Sequence, residues 1–473
     1  MYYLADDLLY EKFESNIHAL IGEEVGGNTS ATSHSSLRGS NAAEAIQKAR
    51  SPNHFGARDD ARPHTIAIAV SGGSDSIALL MLADKWAKIH DIDLVILSVD
   101  HHLRDQSKLE NDYIQELSHQ LGHKHFLLHF DHQNNFSNLQ ARCREGRYTL
   151  MTSLCAQLGI LTIMTGHHLD DYIENYSIRD ERKSNIFGLS GSNIHWYNNV
   201  RIVRPLFNVP KKHLIAYLIS RDIRWFEDES NSSDKYHRNR VRKKLASMEE
   251  ETKNQIVNKQ SEINKQVNET LKPQLISCIA EAIKIYPFGF AIVDVKMLNS
   301  FASEIQFMAI SHTLIIISGK DRSSRSNPVK ILIKLLQQEI VFTKTLNGCI
   351  IKRLGDNLII YREFGRNPPP DISLNNTELW DNRFRFNLQD PQCYVSYLTK
   401  VDYQKIKNLL TAVVLQKQSL NHHKTILFTL PVIKKLEKVI AIPHISYYDN
   451  CSLSKRLQVS FSPSFISRFT HFC

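Results

Sequence analysis

The stretch Ile66–Ser76, with the sequence IAIAVSGGSDS, constrains the fold more than any other part of the chain. Its five continuous apolar residues predict a buried strand. Gly72 and Gly73 then allow a tight turn, and Asp75 and Ser76 open an amphipathic helical pattern. A strand, a glycine turn and a helix N-terminus together form an anion cradle, because the inward amide groups and the helix dipole favour a phosphate or pyrophosphate.

The loop is not of the Walker A kind, since no G-x-x-x-x-G-K-[ST] string occurs in the sequence. An ordinary glycine turn is the alternative interpretation. Placed between a strand and a helix, however, SGGSDS resembles the signature of the PP-loop ATP pyrophosphatases, which cleave ATP between its α- and β-phosphates. The resemblance implies that ATP is bound by Ser71, Gly72, Gly73, Ser74, Asp75 and Ser76.

Strand and helix patterns alternate from residue 64 to about residue 245. The predicted strands are Thr65–Val70, Leu94–Val99, His125–His129 and Leu161–Thr165. The predicted helices are Asp75–His90, Ser107–Leu121, Leu139–Leu158 and His168–Asn175. This order predicts an α/β fold with a doubly wound parallel sheet, PP-loop and Rossmann-like, whose ligand lies at the carboxyl ends of the strands.

Polar residues follow two of these strands where each one ends. Asp100 and His101 follow the second strand, although an N-cap and a surface histidine would give the same pattern. After the fourth strand comes GHHLDDYIEN, in which Asp170, Asp171 and Glu174 are spaced to share a helix face. Such a face suits Mg²⁺ or an amine nucleophile, and a zinc site or a solvated acidic helix start are the alternatives.

Charge and cysteine usage indicate the partner and the compartment. The formal net charge of +9 favours a polyanionic partner, and six positive charges lie within Lys235–Lys244, although a charge run is also typical of a solvated face. The seven cysteines are dispersed without a C-x-x-C pair, which fits a reducing compartment. An acidic N-terminus and a longest apolar run of only Ile77–Ala83 predict a soluble, cytoplasmic protein with no membrane partner.

A set of motifs in fixed order makes the resemblance more specific. SGGSDS, VDHHLR, CREGRY, TGHHLDDYIEN, RPLFNVPKKHL, WFEDESNSSD and RNRVR, together spanning residues 64–245, resemble the bacterial tRNA(Ile)-lysidine synthetase family. Cys143 stands where alanine is common, Asn175 where threonine follows the glutamate, and Arg182–Asn185 where a glycine-containing stretch is expected. These departures remove no charged group that the chemistry needs, but the last one alters a local loop.

The resemblance implies an ATP-dependent ligase that attaches lysine to C2 of the wobble cytidine of a CAU-anticodon isoleucine tRNA, changing its decoding from AUG to AUA. The cytidine O2 is first adenylated with release of pyrophosphate, and the lysine amine then displaces AMP. ATP and Mg²⁺ are the implied cofactors, and the tRNA and L-lysine are the implied partners. The oligomeric state stays open, with a homodimer as one alternative.

The same resemblance implies roles for particular residues. The implied catalytic residues are Asp75, Asp100, His101, Arg147, His167 and Asp171. Among them, Asp75 and Asp171 would hold Mg²⁺. The implied contacts with the tRNA backbone are Arg144, Lys211, Lys212, Arg238 and Arg242. Two rival functions are a tRNA thiolase, which would normally need a cysteine pair, and a non-enzymatic RNA-binding protein on a decayed PP-loop scaffold.

The domain organisation is predicted from shifts in composition. We expect a leader helix over 1–25, a disordered insertion over 26–62 and the catalytic domain over 63–245. A linker helix and middle domain (246–365) and a small C-terminal α+β domain (366–473) are expected to follow. The predicted strands of the C-terminal half are Leu314–Ile317, Cys349–Ile351, Leu358–Tyr361 and Trp380–Asn387.

Overall fold

The computed structural model describes residues 2–21, 65–101, 107–131, 139–227, 237–320, 326–364, 368–374, 379–387, 390, 392–414, 424–449 and 457–463. The predicted insertion over 26–62 lies outside these residues. The chain divides into two compact units. The first comprises Met1–Ile178 and Ser192–Lys253, and the second comprises Arg179–Gly191 and Asn254–Cys473. Among the described residues, no helix has the length and apolar character needed to cross a membrane.

A six-stranded sheet is the centre of the first unit. Its strands are β1 (Thr65–Ala69), β2 (Asp93–Asp100), β3 (Lys124–His129), β4 (Thr162–Thr165), β5 (Ile194–Tyr197) and β6 (Val200–Val203). They lie in the order β3-β2-β1-β4-β6-β5, and every neighbouring pair is parallel except β5 with β6. The predicted parallel α/β sheet is therefore confirmed. The chain order reverses between β1 and β4, which is where open sheets of this kind bind their ligands.

Helices alternate with these strands along the chain and continue after them. They are α1 (Tyr2–Ile21), α2 (Ser74–His90), α3 (Ser107–Leu121), α4 (Leu139–Leu158), α5 (Leu169–Glu181), α6 (Ile186–Leu189), α7 (Lys211–Ser220), α8 (His237–Ala246) and α9 (Glu250–Gln266). Helix α6, the last residues of α5 and all of α9 from Asn254 onward belong to the second unit. Helix α2 is the most buried of those in the first unit, with Leu79, Leu80 and Trp86 fully enclosed. The predicted helix His168–Asn175 begins one residue later and continues to Glu181.

Helix α1 packs onto the first unit through a narrow apolar stripe. Phe13 and Ile17, one turn apart, are almost completely buried. The buried Asn16 amide donates hydrogen bonds to the Pro205 carbonyl at 2.6 Å and to the Asn208 side chain at 2.7 Å. Because a buried amide needs such partners, Asn16 fixes the position of α1 along its axis.

The second unit combines helices with three antiparallel sheets. A short π-helical turn (Val267–Leu271) precedes α10 (Lys272–Ala282), α11 (Val295–Asn299), α12 (Ser303–Ser318), α13 (Ser326–Leu336), α14 (Lys400–Val414) and α15 (Lys424–Leu427). One sheet has the order β7-β8-β11-β10-β9, with strands Ile283–Tyr286, Phe290–Asp294, Asn357–Arg362, Cys349–Leu354 and Thr343–Leu346. A second has the order β12-β14-β15-β16-β17, with strands Ile372–Ser373, Tyr394–Tyr397, Pro431–Lys435, Lys438–Ile442 and Tyr447–Tyr448. Strand β13 (Phe384–Phe386) pairs with β18 (Val459–Phe461).

One predicted strand of this half is wrong, and a second is only partly correct. Leu314–Ile317 is the last turn of α12, whose side chains are buried from Ala309 to Ser318. A helix that is apolar all round shows no 3.6-residue period, so its β-branched end resembles a strand. Trp380–Asn387 is interrupted by Asp381 and Asn382, which have φ angles of +51° and +54° and turn the chain before β13. The predicted strands around 350 and 360 are confirmed as parts of β10 and β11.

Arg383 lies at the centre of the second unit and is completely buried. Its Nε donates to Asp381 at 2.8 Å, and its other nitrogens donate to the carbonyls of Gly289, Ile317 and Thr429. Burial lowers the pKa of Arg383 to about 10, against the attraction of the Asp381 carboxylate, so the guanidinium stays charged at neutral pH. A buried guanidinium is stable only when its N–H groups have acceptors, and Arg383 has four among the described residues.

We predict that Arg383→Met destabilises the second unit by about 3–5 kcal/mol, since three carbonyls lose their buried charged donor and the Asp381 carboxylate keeps only Arg362, among the described residues, as an ionic partner. Arg385→Met is the matched control, because Arg385 loses the same charge two residues away but is exposed. The measurement is urea-induced unfolding of the full chain, followed by hydrogen exchange of peptides from β8 and β13. Equal unfolding midpoints for the two variants would contradict the structural role of Arg383.

Candidate active site

The loop after β1 has the geometry of an anion cradle. Gly72 has a φ of +81°, a conformation that side chains other than glycine rarely adopt. The Ser76 hydroxyl donates to the Gly73 carbonyl at 3.0 Å and accepts from the Ser71 amide at 3.1 Å, which closes the turn. Helix α2 then begins at Ser74, and the first amides of a helix have no intrahelical acceptor. The loop therefore offers backbone donors and the positive end of a helix dipole to an anion.

A second segment holds this loop from outside. The Phe226 amide donates to the Gly72 carbonyl at 2.9 Å, and the Tyr113 hydroxyl donates to the Arg224 carbonyl at 2.7 Å. The rings of Tyr113 and Phe226 meet edge to face, 5.6 Å apart. Sequence reasoning quoted the motif that contains Phe226 but assigned no role to it or to Tyr113. A backbone hydrogen bond between distant segments leaves no residue-type signal in a sequence.

Gly166 brings the end of β4 against the start of α2. A Cβ atom at this position would lie 2.9 Å from the Asp75 carbonyl oxygen and 3.1 Å from the Ser76 amide nitrogen. Only a residue without a side chain permits this approach. Thr165 is also in register with Ala69 across the sheet, so the strand ends of β1 and β4 are level. The segment His167–Asp171 therefore lies beside the SGGSDS loop.

His168 is the centre of a charged cluster at this point, and only 4% of it is exposed. Its Nε2 lies 3.4 Å from an Asp75 oxygen and 3.5 Å from an Asp171 oxygen, and its Nδ1 lies 3.4 Å from an Asp170 oxygen. Burial by itself would lower the pKa of His168, but the hydrogen bonds and charges of these carboxylates raise it to about 10. An imidazolium between three carboxylates is therefore the favoured state of the site without ligands.

The carboxylates of this cluster are held ionised. Burial works to raise the pKa of Asp75, but His168 and Lys211, whose Nζ is 3.6 Å away, bring it below its ordinary value. The pKa of Asp170 falls to about 2, because the bonds from His168 and the Lys211 amide outweigh its burial. Asp170 caps the first turn of α7 at 2.8 Å from the Lys211 amide, so it turns away from the helix face that the sequence predicted it to share.

Asp171 and Glu174 form the remaining part of the predicted carboxylate face, and both meet arginines from α8. Arg242 Nε donates to Glu174 at 2.7 Å, and Arg238 Nε also donates to Glu174. Both guanidiniums approach Asp171, at 3.4 and 3.5 Å. Glu174 is 2% exposed, and a buried carboxylate needs such partners. The family resemblance implied that Arg238 and Arg242 contact the tRNA backbone. In the structure, both guanidiniums form ion pairs with carboxylates.

The other predicted site residues lie outside this cluster of ion pairs. His167 contacts the Thr165 hydroxyl at 3.1 Å, and burial, together with the charges of Arg204 and Arg144, lowers its pKa to about 3. Asp100 ends β2, and the His101 ring meets Phe130 edge to face at 5.6 Å. The last three residues are exposed basic side chains on helices: Arg144, which lies over the Tyr148 ring, Arg147, and Lys212, which is 3.7 Å from Glu250.

The structure thus brings together one subset of the predicted residues: Ser71–Ser76, His167, Asp171, Lys211, Arg238 and Arg242. His168 and Glu174 complete the cluster, although sequence reasoning chose His167 as the catalytic histidine and named Glu174 only as a member of the carboxylate face. The doubled histidine in GHHLDD was the available signal. The spacing of apolar residues in the sequence does not show which of two adjacent histidines faces inward, because that depends on the residue at which α5 begins.

We predict that replacing both Arg238 and Arg242 by alanine lowers the free energy of unfolding of the first unit by about 3 kcal/mol, because Glu174 is left buried and unpaired. Arg240→Ala is the matched control on the same helix, where the side chain is exposed, and is expected to change it by less than about 0.5 kcal/mol. Urea-induced unfolding of the ligand-free protein measures both. Equal stabilities would show that these arginines do not support the carboxylates.

Comparisons with known proteins agree with this geometry. A family model described as a PP-loop domain matches residues 42–249. A curated tRNA(Ile)-lysidine synthase of Rickettsia felis is 50% identical over 469 residues, covering 98% of this chain and all of the relative. Relatives of the same name from Rickettsia akari and Rickettsia prowazekii are 49% and 50% identical with the same coverage. The chain belongs to the tRNA(Ile)-lysidine synthase family of PP-loop ATP-using ligases.

Proposed function

We propose that this site joins lysine to C2 of the wobble cytidine of a CAU-anticodon isoleucine tRNA, with an adenylated cytidine as the intermediate. One observation carries the proposal: Gly166 places the carboxylates of α5 directly beside the anion cradle of α2. A phosphate held by the cradle and an amine held by the carboxylates would then lie within one small site. Full-length relatives of the same name support the substrate class.

The first step transfers AMP from ATP to the cytidine O2 and releases pyrophosphate. The backbone amides at the start of α2 would bind the phosphates, and the Lys211 ammonium beside Asp75 would face the negative charge that grows on the leaving group. Asp100 and His101, at the end of β2, would contact the nucleotide or the activated base. Charge stabilisation of the leaving pyrophosphate is the main contribution that such a site makes.

Mg²⁺ is the proposed metal, and the donor set fits it. The oxygens of Asp75 and Asp171 both approach His168 Nε2, so they converge on one point, and carboxylates with phosphate oxygens are the ligands Mg²⁺ prefers. Once bound, the ion would neutralise phosphate charge. The His168 imidazolium supplies a positive charge at the same point in the ligand-free protein.

The second step needs a lysine whose side-chain amine is held and then deprotonated. Asp171 would accept a hydrogen bond from the ammonium, and Arg147 and His167 would help to orient the amino acid. Because burial keeps His167 neutral at pH 7, its imidazole adds no repulsion to an incoming cation. After the amine loses a proton, its nitrogen forms the bond to C2 as the C2–O2 bond to AMP breaks.

The tRNA backbone would be contacted by exposed cations near the site. Arg144 and Lys212 project from α4 and α7 into solvent, and a phosphate is a stronger partner for Lys212 than its exposed pairing with Glu250. Lys211, Arg238 and Arg242 would share their donors between carboxylates and phosphates. A homodimer stays a prediction from the sequence, and light scattering of the purified protein would test it.

We predict ATP-dependent incorporation of radiolabelled lysine into unmodified CAU-anticodon isoleucine tRNA, supplied with Mg²⁺. Asp75→Ala should reduce it at least about 100-fold, because the site loses a carboxylate that faces both His168 and Lys211. Asp112→Ala, an exposed carboxylate on α3, is the control. Tight tRNA binding without any labelling would favour the RNA-binding alternative, and labelling that survives in Asp75→Ala would overturn the role of that residue.

We predict that Lys212→Ala weakens tRNA binding about equally for cognate and non-cognate tRNAs. It should also reduce the slope of log Kd against log salt concentration by about 1, as expected for one lost phosphate contact. Filter binding from 50 to 200 mM salt measures the slope. Lys296→Ala is the control, since Lys296 is an exposed lysine paired with Asp356 in the second unit. An unchanged slope in Lys212→Ala would remove this residue from the RNA-binding surface.

A further inference from the structure

Three metal-binding side chains meet between helices α1 and α2, apart from the residues assigned to catalysis. They are Glu14, His18 and His90, and their ligand atoms all lie within 4.8 Å of one another. His90 Nε2 is 3.0 Å from a Glu14 oxygen, and the rings of His18 and His90 meet edge to face at 5.5 Å. Two imidazoles and one carboxylate thus face a common point.

The helices present these side chains without distortion. Glu14 and His18 are four residues apart on α1, so they project from the same face one turn apart. His90 is the last residue of α2, where the helix dipole favours a positive charge. The two helices are fixed independently by the burial of Phe13, Ile17 and Trp86. The backbone positions of the three ligands are therefore set before any ion arrives, while the His18 side chain itself is exposed.

Neighbouring groups orient two of the three ligands. The Tyr10 hydroxyl donates to the same Glu14 oxygen at 3.3 Å. The His90 ring lies 5.3 Å from that of Trp86, whose side chain is fully buried. Contacts between a metal ligand and a neighbouring side chain are typical of metal sites, because they restrict the rotation of the ligating side chain.

We propose that Glu14, His18 and His90 bind a divalent transition-metal ion of the Zn²⁺ class. Two imidazole nitrogens and one carboxylate oxygen are a donor set that Zn²⁺ accepts, with water in the fourth position. Zinc–ligand bonds of about 2.0–2.1 Å separate tetrahedral ligands by about 3.3 Å. The present separations, 3.0 Å between His90 and Glu14 and none above 4.8 Å, are close to that value.

The ion would tie the N-terminal helix to the helix that begins at the SGGSDS loop. Because this site lies at the opposite end of α2 from that loop, its role is structural and independent of the ligase reaction. The competing interpretation is a simple Glu14–His90 ion pair, which needs no third ligand. His18 separates the two interpretations, since it contributes only if a metal binds.

The test is a titration of the chelator-treated full chain with Zn²⁺ alone by calorimetry, and with Co²⁺ by visible absorption. We expect one site per chain that is lost or weakened at least about tenfold in His18→Ala and in His90→Ala, with a tetrahedral Co²⁺ spectrum in the parent protein but not in these two variants. His119→Ala is the matched control, an exposed histidine in the last turn of α3. It should bind like the parent protein, whereas metal held by cysteines would be bound equally by the parent protein and by all three variants.

Two results would overturn the proposal. One is the absence of a site in the parent protein, and the other is equal binding by the parent protein and His18→Ala. Circular dichroism of each variant checks that α1 remains folded. The lysine-incorporation assay with the same variants should show unchanged activity, so failure of the metal site and failure of the ligase assignment are distinguishable.

Discussion

The approach of Gly166 to the backbone of Asp75 is the constraint on which the active site depends. It acts where the chain order reverses between β1 and β4, at the carboxyl ends of these two strands. With any larger residue at 166, the strand end and the helix start would separate, and His168 would no longer reach Asp75. The charged cluster is thus a consequence of one backbone contact, and no single side chain creates it.

The site is electrostatically balanced before any substrate arrives. Three cations from two helices, Lys211, Arg238 and Arg242, together with the His168 imidazolium, face the carboxylates of Asp75, Asp170, Asp171 and Glu174. Such a balance removes the cost of burying like charges together. It also means that an entering cation or phosphate exchanges partners with groups already present, which costs less than ionising a neutral site.

Much of this arrangement was predictable because the catalytic domain follows simple sequence rules. Strands β1 to β4 and helices α2 to α4 agree with their predicted bounds to within one residue, since each apolar period is bounded by glycine or polar residues. The failures have a physical pattern. Helix α12 is buried on all sides, so its apolar residues show no helical periodicity. Which of His167 and His168 faces inward depends on the residue at which α5 begins. The Phe226–Gly72 bond and the Arg383 network join distant segments through backbone atoms that every residue possesses.

The three carbonyls that Arg383 binds have a consequence for synthesis of the chain. They are 94, 66 and 46 residues away in sequence, and Thr429 lies downstream of the arginine. Until Thr429 has emerged from the ribosome, the guanidinium lacks one of its acceptors, and the centre of this unit cannot close around it. The second unit therefore completes its folding only after Thr429 has been added, when the ATP-binding sheet is already whole. A nascent chain would therefore have a folded nucleotide site while its second unit is still incompletely folded.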